Sequence, residues 1–396
     1  MAKRSVRDLD VKNKRVLLRV DYNVPVSKEG AITDDKRIVE TLPTIRYLLE
    51  NNAIIVIVTH MGRPDGKVIE SLRLDKVAQR LSSLLGKPIT KLNSVVGPEV
   101  TTAVANAKPG DIIMLENVRF LKEEKTGSEE LAKQLSALAD VYVDDAFATA
   151  HRPDTSVAGV PQFLPSAAGF LLQREIDILE TVTTSAKKPF IAILGGAKVS
   201  DKIGLIRNLL AKTDAVLIGG GMAFTFLKAK GYGVGFSLVE EDYLKVADEI
   251  MNEAKSRGTR LLLPVDVVVT HEIRDGSSHR VVDIEEIPAD RIGVDIGPET
   301  IARFTAEIAK AHTIIWNGPM GVIEIGAFAE GTKAMAKAIA ANTDALTVAG
   351  GGETASVIDS LGVQKGFTHI STGGGAFLEY LEGKQLPGIE AIDSAD

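Results

Sequence analysis

Two kinds of residue in this 396-residue chain recur at spacings suited to phosphate or carboxylate chemistry: arginines that follow apolar runs, and glycines that follow apolar runs. In the N-terminal half, Arg15–Val20 leads into Asp21 and Asn23, Ala53–Val58 into His60 and Arg63, Asp111–Leu115 into Arg119, and Val141–Val143 into His151 and Arg152. Guanidinium forks match the paired oxygens of carboxylates and phosphates. A single arginine is usually solvated surface. Five at corresponding positions, Arg19, Arg37, Arg63, Arg119 and Arg152, in a chain of net charge -7 point instead to a site for a small polyanion.

The C-terminal half repeats the device with glycine. The stretch IAILGGAKVSDKIGLIRNLL (Ile191–Leu210) reads as a buried strand, then Gly195 and Gly196, then a helix with Ile203, Ile206, Leu209 and Leu210 on one face. A strand that turns on glycine into a helix offers backbone N–H groups and the positive end of the helix dipole, and Lys198 and Lys202 add charge one turn apart. Its spacing matches neither GxxxxGK[ST] nor GxGxxG, and alone it reads equally well as a structural turn. Three glycine triplets, Gly219–Gly221, Gly350–Gly352 and Gly373–Gly375, each follow an apolar run. Together they favour a nucleotide site.

These residues must be carried by alternating strands and helices. The arginine-bearing runs are separated by helical stretches at Ile38–Asn51, Leu74–Leu85 and Glu129–Ala139. That β-α-β-α order predicts parallel sheets, with ligands at the carboxyl ends of the strands. Ser166–Thr181 reads as one helix with Phe170, Leu172, Ile176 and Leu179 as its buried stripe, connecting two domains. Thr259–Val269 and Val281–Ile287 read as further strands with a turn at Asp275–Ser278, and Gly293–Glu299 precedes another helix. The length suits two domains rather than one core. The absence of cysteine excludes disulfides and thiolate chemistry. The acidic balance argues against nucleic-acid partners. No run approaches the roughly 18 apolar residues that span a bilayer, and the charged start carries no apolar signal core, so no membrane association and a cytoplasmic location are expected.

The motifs RVDYNVP (Arg19–Pro25), THMGRP (Thr59–Pro64), LENVRF (Leu115–Phe120), DAFATAHR (Asp145–Arg152), GGAKVSDK, WNGPMGVIE, GGGET and STGGGA, in this order, resemble the phosphoglycerate kinase family over essentially the whole chain. The resemblance implies two Rossmann-like three-layer α/β/α domains with mainly parallel sheets facing each other across a cleft. It implies a 3-phosphoglycerate domain at 1–168, a connecting helix and hinge at 169–188, a nucleotide domain at 189–378, and a segment 379–396 returning to the first domain. The substrate contacts fall on Asp21, Asn23, Arg37, His60, Arg63, Arg119 and Arg152. Those for ADP or ATP fall on Gly195, Gly196, Lys198, Lys202, Gly219, Gly293, Pro319, Glu324, Gly351, Gly352, Glu353 and Thr354. Arg37, Lys198, Gly373 and Gly374 would meet the phosphoryl group in transfer. Glu353 would lie near Mg2+, and a monomer acting in glycolysis and gluconeogenesis is implied. Glu353 stands where the family commonly has aspartate, and Ala148 where glycine is usual.

The implied reaction, reversible transfer between 1,3-bisphosphoglycerate and ADP, needs no general base, since its carboxylate is ionised at pH 7. A nicotinamide-dependent dehydrogenase fits less well, because no GxGxxG follows the first strand and no acidic residue stands at the required distance beyond. A non-catalytic two-lobed binding protein explains the arginines but not Lys198 beside repeated phosphate-type junctions.

Overall fold

Apolar runs buried along their whole length, such as Ile54–Val58 and Phe190–Leu194, need cover on both faces, which strands of parallel sheets receive. The computed structural model describes residues 2–395. The chain folds as two units, one formed by residues up to Asp177 with those from Gln385 onward, the other by Ile178–Lys384.

The first unit holds β1 (Arg15–Val20), β2 (Ile54–Val58), β3 (Thr90–Lys91), β4 (Ile112–Met114), β5 (Val141–Asp145) and β6 (Ser166–Ala168). They form a six-stranded sheet in the order β3-β4-β2-β1-β5-β6, every pair parallel. Alternate residues face opposite layers. Val16, Leu18 and Val20 pack with Ile45 and Leu48 of the helix Leu42–Glu50 and Val77 and Leu81 of Asp75–Leu85. Leu17 packs on the other side with Val100, Val104, Leu131 and Leu135. The chain's end belongs to this unit, with Lys3 bridged to Ser394 and the Arg4 guanidinium 3.0 Å from the Asp393 carboxylate.

The second unit holds β7 (Phe190–Leu194), β8 (Ala215–Ile218), β9 (Arg260–Leu262), β10 (Asp266–Thr270), β11 (His279–Asp283), β12 (Ile292–Ile296), β13 (Thr313–Asn317), β14 (Leu346–Gly350) and β15 (His369–Ile370). Six form a parallel sheet in the order β15-β14-β13-β7-β8-β9. Its core includes Ile191, Ile193, Leu217, Ile314 and Trp316 packed with Phe304, Met335 and Ile339. Both units are therefore α/β, with helices over parallel sheets.

Local structure departs from the sequence reading in five places. The stretch Ile38–Asn51 is broken into helices Lys36–Val39 and Leu42–Glu50, because Pro43 at the second helix's start disfavours continuation from the first. Ser166–Ala168 is strand β6, paired with Tyr142–Asp144, and the helix runs Phe170–Thr184. Asp145 ends any continuation between them, since its carboxylate accepts from the amides of Leu171 and Leu172 at 2.9 and 3.2 Å and occupies the space a side chain at Gly169 would need. The helix after Gly195 and Gly196 begins only at Ile203, and Leu205 rather than Ile203 completes its buried face. Thr259–Val269 splits into β9 and β10 around buried Pro264. Finally, β11-β10-β12 form a separate antiparallel sheet, and Gly293 lies inside its strand β12, which leads into the expected helix at Pro298–Ile308.

Candidate active site

In the first unit the loops after β4, β2, β1 and β5 leave neighbouring parallel strands at the same sheet edge. Asn117, Asn23 and Thr59 lock the loops after β4, β2 and β1 to one another, and Asp21 braces the loop after β1 from within. Asn117 accepts from the Met61 amide at 3.2 Å and donates to the Met61 and Leu72 carbonyls at 2.8 and 3.0 Å. Asn23 accepts from the Gly62 amide at 2.9 Å. Thr59 accepts from the Tyr22 amide at 2.9 Å. Asp21 accepts from the Asn23 amide at 3.0 Å and pairs with the Arg37 guanidinium.

The arginines converge on His60. This imidazole is buried, and burial together with the positive charges of Arg19, Arg119, Arg152 and Arg37 holds it well below its ordinary pKa. It is neutral at pH 7. The Arg119 guanidinium is nearly enclosed, donates to the Gly62 carbonyl at 2.9 Å and lies 3.6 Å from Asp154, while its Nε has no hydrogen-bond partner. Burial and the neighbouring Arg152 lower its pKa. Arg152 Nη1 is likewise buried without a partner. Unpaired buried guanidinium donors in one small region are costly unless an anion completes them. Arg63 is exposed on the loop after β2 and is not among the charges that act on His60. Arg19, expected on the rim, is fully buried beneath it.

In the second unit, the loops after β7, β8, β13, β14 and β15 also share one sheet edge. Gly195 and Gly196 do not offer their amides outward: these donate to the Asn317 and Pro319 carbonyls, both at 2.9 Å. The Gly219 amide donates to the Leu194 carbonyl at 2.9 Å. The glycines instead allow backbones to touch, since a Cβ on Gly195 would meet the Pro319 carbonyl and one on Gly219 the Met320 sulfur. Pro319 is buried in this contact, and Glu324 is exposed further along the same loop. Gly293 sits in β12, its amide donating to Ser237 Oγ at 2.8 Å and its Cα backed by the Phe224 ring.

Amides without a side-chain cap lie instead at the helix starts after β14 and β15. The helix Gly352–Leu361 starts at Gly351 (φ 99°) with no side-chain cap, and carries exposed Gly352 and Glu353 in its first turn. The helix Gly375–Leu381 starts in the same way at Gly374 (φ 46°). Positive φ there favours glycine, and an uncapped N-terminus directs its free amides and positive dipole end at an anion. Gly373 is buried and donates to Ser371 Oγ at 3.1 Å. Thr354 is buried too, its hydroxyl accepting from the Gly318 amide at 2.9 Å, which makes it a brace for the loop. Lys202 is 9% exposed and donates to Asn317 Oδ1, and burial pushes its ammonium down to about 8 despite the opposing charges of Asp201 and Glu353. Lys198 is exposed on a loop pinned by Glu240, which accepts from the Ser200 hydroxyl and amide at 2.6 and 3.0 Å.

Sequence reasoning gave no role to Asn317, although it links Gly195, Lys202 and Gly350. The residue lies inside the WNGP motif, and a buried amide just ahead of a glycine turn was the available signal. Glu240 had none, being far along the chain from the loop it holds.

A rim of buried guanidinium donors, and a glycine-lined rim with two lysines and uncapped helix ends, are the equipment of a phosphotransferase acting on a small anionic acceptor. The family model described as phosphoglycerate kinase matches residues 6–384. The chain is 56% identical over 395 residues to a phosphoglycerate kinase of Dictyoglomus turgidum, covering 99% of both chains, and 52% identical over 392 residues to that of Moorella thermoacetica, again covering 99% of both. Among solved structures, phosphoglycerate kinase from Coxiella burnetii matches with a TM-score of 0.90 at 42% identity, covering 98% of each chain. That from Pyrococcus horikoshii matches with a TM-score of 0.84 at 36% identity, covering 99% of this chain and 98% of that one. This chain belongs to the phosphoglycerate kinase family, phosphotransferases with a carboxyl group as acceptor.

Proposed function

We propose that this chain transfers a phosphoryl group reversibly between the acyl phosphate of 1,3-bisphosphoglycerate and ADP, giving 3-phosphoglycerate and ATP, in glycolysis and gluconeogenesis. The observation that carries the substrate assignment is the buried, unpaired Arg119 and Arg152 donors around a neutral His60. They suit a ligand with both phosphate and carboxylate. Asp21, Asn23 and Arg63 complete the substrate rim in this reading, with Asp21 holding Arg37 ready and Asn23 shaping the loop after β2. The nucleotide belongs to the second unit. Its phosphates meet Lys198, Lys202 and the Gly351–Glu353 turn, braced by Thr354, and its base lies against the close-packed glycine backbones of Gly195, Gly196 and Gly219, with Gly293, Pro319 and Glu324 around it.

The acceptor carboxylate, with a pKa of roughly 3 to 4, is ionised at neutral pH and attacks without a base. A neutral His60 agrees with that, since it is left to orient the substrate. Catalysis is then positioning and charge neutralisation on the phosphoryl oxygens, supplied by Arg37, Lys198 and the helix N-terminus at Gly374, while Gly373, whose amide is held by Ser371 Oγ, shapes that turn rather than donating. Among the described residues no group of three or more His, Asp or Glu side chains could hold a metal ion by itself. Mg2+ does not need one, since it keeps waters and binds through one or two carboxylates plus substrate phosphates. Glu353, exposed in the first turn after Gly351, fits that donor set. When bound, Mg2+ neutralises charge on the nucleotide phosphates.

The two rims belong to different units, so the reading requires them to close on one another around the helix Phe170–Thr184 and the segment after it, excluding water from the acyl phosphate. We assign it as a monomer of the cytoplasm. Among the described residues, no helix is long and apolar enough to cross a membrane. A coupled assay for ATP formation from ADP and 1,3-bisphosphoglycerate tests the proposal. Binding of both ligands without turnover would make it a two-lobed binding protein instead.

A further inference from the structure

Beneath the basic rim runs a connected set of fully buried polar side chains that the transfer mechanism does not use. Arg19 of β1 and Ser156 are both without exposure, as is Glu124, far from either in sequence. The Arg19 Nε donates to Ser156 Oγ at 2.8 Å. Ser156 in turn donates its hydroxyl to Glu124 Oε1 at 2.6 Å, and its amide donates to Oε2 at 2.9 Å. At the other end of the guanidinium, Nη1 donates to the Val20 carbonyl and Nη2 lies 3.4 Å from His60 Nδ1. A carboxylate, a hydroxyl, a guanidinium and an imidazole therefore stand in one line.

The direction of the last contact follows from chemistry. A guanidinium has donors only and stays protonated, while Asp21 Oδ1, the carboxylate oxygen on the same side, stands 3.8 Å from Nδ1, beyond hydrogen-bond reach, so Nδ1 of His60 presents its lone pair to Arg19. Because His60 is neutral, its single ring proton is then on Nε2. We propose that Glu124 is a positioning residue: through Ser156 it fixes Arg19, and Arg19 fixes His60 in the Nε2–H tautomer that donates to an anionic substrate. The inference rests on the assignment of this rim to phosphoglycerate. Without Glu124, Arg19 keeps an acceptor at Val20 but loses the group that anchors its Nε side. Burial pushes the Glu124 carboxyl up to about 7, opposed by Arg19 and by the Ser156 hydrogen bonds. The remaining charged or titratable groups that act with it are Asp154, Arg119 and Tyr142.

The test uses full-length protein labelled with 15N-histidine, with the His60 signals assigned by their loss in His60→Gln. Wild type should show a pyridine-type Nδ1 and a pyrrole-type Nε2. Glu124→Gln keeps the shape and removes the charge. It should move both nitrogens toward averaged shifts and raise KM for 3-phosphoglycerate about tenfold, the scale of one well-placed hydrogen bond, with KM for ATP unchanged. Ser156→Ala cuts the same line with Glu124 intact and should act in the same direction, which keeps the test alive if the first variant fails to fold. A pyrrole-type Nδ1 in wild type overturns the inference, as does an unchanged tautomer pattern in both variants. Equal rises in both KM values would mark a structural role and overturn it too. If Arg119→Ala leaves KM for 3-phosphoglycerate unchanged, the substrate assignment fails, and the tautomer pattern still decides the role of Glu124.

Discussion

Lys202 offers the sharpest test of the nucleotide rim, because its protonation state differs from that of an ordinary lysine. Burial pushes it down to about 8, against a usual value of about 10.4. Between pH 7 and pH 9 the charged fraction in the free protein therefore falls from about nine-tenths to about one-tenth. If nucleotide phosphates bind the ammonium form, the affinity for metal-free ADP should fall about tenfold over that interval, roughly 1.4 kcal/mol. The second ionisation of a phosphate monoester lies near pH 6, below the window. At pH 8, binding should draw about half a proton from solution, since the ligand's charge restores the ammonium. Calorimetry of ADP in EDTA, repeated in buffers of different ionisation enthalpy, measures the uptake directly. Lys202→Met should abolish both the uptake and the pH slope. Stability gives a second reading with a fixed sign. A lysine whose folded value is lowered binds fewer protons folded than unfolded between about 8 and 10.4, so its contribution to unfolding free energy rises with pH across that window. The span is on the order of 3 kcal/mol, absent in Lys202→Met. Proton uptake near zero in wild type, or equal uptake in the variant, would refute the argument that this buried ammonium meets the phosphates.

Arg37→Ala should lower turnover on the order of 10³-fold, the scale of an arginine that stabilises phosphoryl transfer, with little change in nucleotide affinity, and near-normal steady-state turnover would remove Arg37 from the mechanism. Lys198→Ala should likewise damage turnover, and unaltered kinetics would reduce the stretch after β7 to a turn. Closure of the two units should appear in X-ray scattering as a smaller radius of gyration with both substrates bound than with neither, and identical profiles would count against it.

Much of the site was legible because it is written in local pattern. Parallel strands read as continuous apolar runs, and ligands bind at the residues just beyond the carboxyl end of such a run, so Arg119, Arg152, His60 and the glycine triplets align from the chain alone. The motifs added the family. Element boundaries were less legible where a distant partner decided them. Ser166–Ala168 has no strand signature of its own and becomes one only because β5 lies beside it and Asp145 caps the helix that comes next.

The sequence by itself determined which residue types stand at which strand ends, since periodicity of 2 or 3.6 and the placement of glycine and arginine are properties of the chain alone. Only the tertiary structure decided what those residues face. Gly195 and Gly196 look like phosphate donors on paper, yet their amides are spent on Asn317 and Pro319, carbonyls more than a hundred positions away. Arg19 looks like a rim residue and is instead buried against Ser156, with Glu124 behind it. Hydrogen-bond satisfaction and burial are settled by neighbours brought together from remote parts of the chain, and no local pattern encodes them.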